Sequence, residues 1–104
     1  MANLQHYVVI AKDHTDAEAP QRRQAARANH LANARQLKAA GTVVWAGAMV
    51  DSDTDPNATM VGSTLVVRAE NEAQVREILA ADAYTKSNVW GSFEIYPIKP
   101  AALD

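Results

Sequence analysis

"TVVWAGAMVDSDTDPNATMVGSTLVVRA", Thr42–Ala69, holds two apolar runs separated by a polar turn. The runs Thr42–Val50 and Thr59–Ala69 are short and rich in β-branched and aromatic residues, which favours strands. Between them, Pro56 and Asn57 supply the chemistry of a long turn. Both runs are apolar on both parities. Val43, Trp45 and Met49 alternate with Val44, Ala46 and Val50, and Val61, Leu65 and Val67 alternate with Met60, Thr64 and Val66. A sheet covered on one face only should alternate cleanly between apolar and polar. Helices can cover one face, and a second copy of the same sheet is the simplest cover for the other, so a homodimer is expected.

The flanks complete the pattern. Leu4–Asp13 and Val89–Lys99 read as strands, with Pro97 near the end of the last, where a missing N–H is easiest to tolerate. Thr15 and Glu18 have capping-box spacing, but Pro20 would be the fifth helical residue in that register and would clash with the carbonyl four back. A regular helix is therefore expected to begin near Pro20 and to stop at Gly41. Asn71–Ala81 reads as a second, amphipathic helix with Asn71 as N-cap and Val75, Ile78 and Leu79 on one face. The order is βαββαβ, the ferredoxin-like split arrangement of an α+β protein.

A chain of 104 residues is one domain, spanning 1–104. Its 48% apolar and 21% charged residues are those of a soluble globular protein. The net charge of −2 gives no general pull toward phosphate backbones or anionic membranes, so neither nucleic acid nor membrane is an expected partner. No cysteine is present, which excludes disulfides, thiolate metal sites and cysteine nucleophiles. "MANLQHYVVIAKD" has no secretory pattern and no run approaches a membrane span, so the expected location is the cytoplasm.

Within the first helix, "RANHLANARQL" (Arg27–Leu37) puts His30 on the stripe of Ala34 and Leu37, which should face the core. A titratable ring there, with Arg27 one turn before it, marks a candidate site, although most such histidines only satisfy their own surroundings. Arg27 can hold an anionic group with its fork of donors, and a solvated helix-face arginine is its plainer reading. "QRRQAAR" lacks interleaved aromatics and reads as the wet face of the helix. Gly47 and Gly62 lie inside strands, where glycine marks a bulge or a close approach of backbone or ligand. Asp51, Asp53 and Asp55 alternate as in a calcium loop, but Pro56 and Gly62 occupy the positions that need glycine and glutamate. His6, His14 and His30 have no ligand spacing, so no metal is expected.

Several separated blocks carry a resemblance over nearly the whole chain: "RANHL", "WAG" ending at Gly47, "VGST" around Gly62 and Ser63, "ADAY" after the second helix, and the closing "EIYPIK". With these the chain resembles the YciI-like (YCII-related) proteins, whose fold is a dimeric α+β barrel. The resemblance implies a cleft in each protomer with a His and an Asp as acid/base pair, carried over to His30 and Asp82. Beside this pair, Tyr84, Gly47, Ser63 and Arg27 are candidate substrate-binding residues, while the plainer readings are an Asp82 that stops the second helix and a Tyr84 that packs its loop. Where the family shows Asp-Pro before an aromatic, this chain has Ala83.

The expected function is proton abstraction coupled to elimination or isomerisation of a small organic acid or quinol, without a cofactor. An Asp accepting from one ring nitrogen fixes the tautomer and leaves the other free to move a proton. The competing expectation is a non-catalytic dimeric ligand-binding or accessory protein of the same fold, since fold alone does not name function.

Overall fold

Tyr7, Val9 and Ala11 of the first strand are buried while Val8 and Ile10, between them, are half-buried, so one strand already shows two unequal faces. The computed structural model describes residues 3–103. Its elements are β1 (Gln5–Asp13), α1 (Ala19–Ala39), β2 (Val43–Val50), β3 (Met60–Ala69), α2 (Glu72–Ala80), α3 (Ala83–Lys86) and β4 (Trp90–Ile98). The strands form one antiparallel sheet in the order β2-β3-β1-β4. This is the expected α+β, ferredoxin-like βαββαβ arrangement, with the short α3 added between α2 and β4. Pro97 falls on β4, an edge strand where its missing N–H interrupts no ladder on the outer side.

Helix boundaries follow local chemistry. Pro20 occupies the first turn of α1, and Glu18 takes the N-cap position without a side-chain cap, so the Thr15–Glu18 box is indeed not used. Gly41 adopts φ +81° beyond the helix end, and Thr42 N–H returns to Leu37 C=O at 2.9 Å. Asn71 caps α2 by accepting from Gln74 N–H at 2.9 Å.

Register decides what lies under the helices. Val9 sits between Leu65 and Ile95, and Ala11 between Ser63 and Phe93. With Val67, Val75, Leu79, Tyr84 and Val89 these make the core between sheet and helices. The opposite face is open: Trp45, paired with Val66, is 54% exposed, and Tyr96, paired with Val8, is 52% exposed. Strand β2 is exposed along most of its length on both parities. Among the described residues, no helix is long and apolar enough to cross a membrane.

Candidate active site

Three elements bring the site together. Helix α1 carries Arg23, Arg27 and His30, β3 carries Ser63, and the α2–α3 junction carries Asp82 and Tyr84. Asp82 ends no helix by itself; it opens the next one. Its backbone is extended (φ −72°, ψ 144°) and its Oδ1 accepts from Tyr84 N–H at 2.9 Å, an N-cap for the single turn α3. The same oxygen lies 2.7 Å from His30 Nδ1. The pair is well shielded, with 13% of the His30 side chain and 7% of the Asp82 side chain exposed.

An ionised carboxylate only accepts, so Nδ1 carries the proton in the neutral ring and Nε2 keeps its lone pair. Nε2 has no hydrogen-bond partner among the described residues, while every buried side-chain N or O atom there has one. Nε2 is therefore open to solvent. Aromatic packing fixes the ring plane: His30 stacks on Tyr84 with centroids 3.8 Å apart and planes 12° apart, and meets the edge of Trp90 at 5.6 Å.

A cleft of about 320 Å³ opens beside this ring. Arg23, Arg27, His30, Ser63 and Tyr84 line it from one side, and Ala46, Gly47 and Ala48 of β2 form part of its wall. The cleft thus gathers every expected site residue except Asp82, which stands behind His30. Arg27 is exposed at the cleft and makes no side-chain hydrogen bond or ion pair among the described residues, so its charge is unspent. Gly47 contributes backbone only. Its register partner Thr64 puts its missing side chain on the face away from the helices, and an added Cβ would meet nothing within 4 Å. Gly62 is different: a Cβ there would fall 2.5 Å from Ala11 O, so close packing with β1 is its reason.

One reading of the sequence is corrected. Arg23, placed on the wet face with the rest of "QRRQAAR", is buried. Its Nε and Nη2 bind Asp13 at 2.7 and 3.2 Å, Nη2 also reaches Gly62 O (2.9 Å) and Ser63 Oγ (3.1 Å), and its guanidinium stands 4.6 Å from the Tyr84 ring centroid. A signal was available, because Arg23 lies seven residues before His30 and hence on the same stripe, whereas Arg27 does not share its burial. Asp13 and Trp90 were also missed; they sit at strand ends, where spacing says nothing about tertiary partners.

The network sets the role of Ser63. Arg23 Nη2 and Trp90 Nε1 both donate to Ser63 Oγ, each at 3.1 Å. Neither group can accept, so they occupy the oxygen's acceptor capacity. The Ser63 O–H has no acceptor among the described residues, and Ser63 lines the cleft. Burial pushes the Tyr84 phenol above its ordinary range, against the opposing pull of Arg23 and Arg27, so it stays neutral. Among the described residues no group of three or more His, Cys, Asp or Glu is placed to hold a metal ion. Asp51 and Asp55 instead accept backbone N–H groups of their own turn, from Thr59 and Asn57.

Fold and site define a small α+β protein of ferredoxin-like topology, with an Asp-oriented histidine facing a cleft. Residues 6–102 match the YCII-related domain, and the chain belongs to that family. Fusaric acid biosynthesis protein 2 of Gibberella fujikuroi is 30% identical over 100 residues, covering 92% of this chain and 94% of that protein. An aspartate kinase of Fusarium oxysporum is 32% identical over 105 residues, which are 96% of this chain and only 19% of the kinase. Among solved structures, 5-chloro-2-hydroxyhydroquinone dehydrochlorinase (TftG) from Burkholderia phenoliruptrix, in complex with 2,5-dihydroxybenzoquinone, superposes with a TM-score of 0.79 at 25% identity over 92% of this chain and 95% of that one.

Proposed function

We propose that the protein is a small-molecule enzyme in which His30 moves a proton to or from an oxygen-rich, ring-sized substrate bound in the cleft. The single observation that carries this is the 2.7 Å hydrogen bond between His30 Nδ1 and Asp82, with Nε2 unpartnered among the described residues and His30 lining the cleft. Asp82 orients the ring and stabilises the imidazolium formed when Nε2 takes a proton. Ser63 O–H and Arg27 answer the other half of the chemistry: a hydrogen-bond donor and a cation for the negative charge that deprotonation leaves on a substrate oxygen. A phenolate reprotonated at the ring carbon that bears the leaving group becomes a dienone. Loss of a second hydroxyl proton then expels that group as its anion and leaves a quinone, which is elimination; reprotonation at another carbon without expulsion is isomerisation. The likeness to a dehydrochlorinase that binds a dihydroxybenzoquinone supports this substrate class, and the relative in a biosynthetic role supports small-molecule chemistry. The proposed chemistry uses protein side chains alone.

The working form is proposed to be a homodimer. Trp45, Val44, Tyr96 and Ile98, on the two edge strands, are exposed large apolar side chains that a second copy of the sheet would cover.

The test is titration of the protein with 2,5-dihydroxybenzoquinone, followed by assay of chloride release from a chlorinated hydroxyhydroquinone. Binding with release that His30→Gln abolishes supports the enzyme. Binding without release at any substrate tried favours the ligand-binding protein, and no binding removes the substrate class.

A further inference from the structure

Two consecutive arginines of α1 each grip an aspartate, Asp13 at the end of β1 and Asp16 in the β1–α1 connection. Arg23 turns inward to Asp13, and Arg22 turns outward to Asp16, with Nη1 to Oδ2 at 2.7 Å and Nη2 to Oδ1 at 2.8 Å. Arg22 does more than pair. Its Nε and Nη2 also donate to Asn88 C=O, at 3.1 and 2.9 Å. Asn88 lies just past α3 with φ 56°, a left-handed conformation that turns the chain toward β4.

This matters because α3 has four residues and cannot hold itself. Its beginning is fixed by Asp82, the carboxylate that orients His30, and its body carries Tyr84, the ring stacked on His30. The segment just past it is tied to the β1–α1 connection by His14 N–H to Val89 O at 2.8 Å, and to α1 by the Arg22 fork on Asn88 O. Among the described residues, Arg22 is the one side chain from another element that hydrogen-bonds residues 87–89.

We infer that Arg22 is a positioning residue for the His30 site: by clamping Asn88 against Asp16 it sets α3, and α3 holds both Asp82 and Tyr84 against the His30 ring. The planar fork is needed, because Arg22 makes four donor contacts from three nitrogens held in one rigid plane, whereas an ammonium offers three donors on a single nitrogen. The inference rests on His30 and Asp82 being the working pair, but its test reads the geometry directly and needs no substrate.

The test compares wild type with Arg22→Ala, Arg22→Lys and, as control, Arg76→Ala, which breaks another exposed pair (Arg76–Glu72, 3.0 Å) away from the site. NMR follows the ring protons of His30, displaced upfield by the stacked Tyr84, and hydrogen exchange follows the Tyr84 amide bound to Asp82. Expected for both Arg22 variants is loss of the upfield displacement at His30 and roughly tenfold faster exchange at the Tyr84 amide. Lysine should not rescue, and Arg76→Ala should change neither signal. Unchanged His30 and Tyr84 signals in a folded Arg22→Ala overturn the inference, as does full rescue by Arg22→Lys or an equal effect of Arg76→Ala. Should Arg22→Ala fail to fold, the charge-retaining Arg22→Lys decides by the same signals. Loss of catalysis by His30→Gln without any Arg22 effect would sink this inference and leave the proposed function standing.

Discussion

Arg23 and Asp13 form a bidentate ion pair beneath the cleft, at 2.7 and 3.2 Å, with 8% of each side chain exposed. Such a pair adds little stability over apolar residues of the same shape, but losing one partner leaves a shielded charge alone. Here the arginine also ties Ser63 and Tyr84 to the site, so the pair fixes the cleft wall. Asp13→Asn is expected to lower stability by about 3 kcal/mol. Urea unfolding checks this, read as a lower midpoint at unchanged slope. A midpoint within error of wild type contradicts the buried pair.

Two strand glycines should behave oppositely. At Gly62 a methyl group would meet Met49 Cε and the Ala11 carbonyl, the latter at 2.5 Å, and backbone cannot step aside. Gly62→Ala is expected to cost about 1–3 kcal/mol. At Gly47 nothing lies within 4 Å of the added Cβ, so Gly47→Ala should change the stability of a single chain by less than about 0.5 kcal/mol. Thermal unfolding of the two variants side by side separates them, and equal losses would contradict the register.

The Arg22–Asp16 pair predicts a pH window. The Arg22 hydrogen bond holds the Asp16 carboxyl down from 3.8 to about 2. A carboxyl whose folded value lies below its unfolded one adds stability above the unfolded value, and that contribution disappears as pH falls through the folded one. Asp16→Asn should therefore be less stable than wild type above pH 3.8, with the gap closing as pH falls toward about 2. A gap that stays constant across that window contradicts the pair.

Tyr84 gives the complementary alkaline test. Burial raises its phenol, so ionisation is disfavoured in the fold and its contribution to stability is lost as pH rises beyond the ordinary value of 10.0. The ultraviolet titration of wild type minus that of Tyr84→Phe isolates this one group. Ionisation above 10.0 is expected, and ionisation at or below 10.0 contradicts a buried phenol.

Much of this was legible in the sequence, and the reasons are specific. The four strands and two long helices each exceed the few residues needed for a pattern to register, and their boundaries fell within about two residues. Gly41 and Asn71 marked helix ends because their chemistry is local. The turn α3 was not legible, since four residues show no period, and its N-cap Asp82 looked instead like the end of α2. Asp82 was reached through the "ADAY" block, and its contact with His30 depends on how α3 packs on α1. Arg23 was misread because composition outweighed its position on the stripe. A charged residue is rarely placed inside a core, and only its partner Asp13, ten residues away on another element, makes that placement tolerable.

Asp82 is proposed to hold His30 with Nδ1 protonated and Nε2 free. Nitrogen-15 NMR of the imidazole rings, recorded on the neutral form of His30, tests it most directly. Expected is a protonated Nδ1 bound to Asp82 and an unprotonated Nε2, with that preference lost in Asp82→Ala. A wild-type ring protonated at Nε2, or a tautomer indifferent to Asp82→Ala, would contradict the account and leave His30 a packing residue.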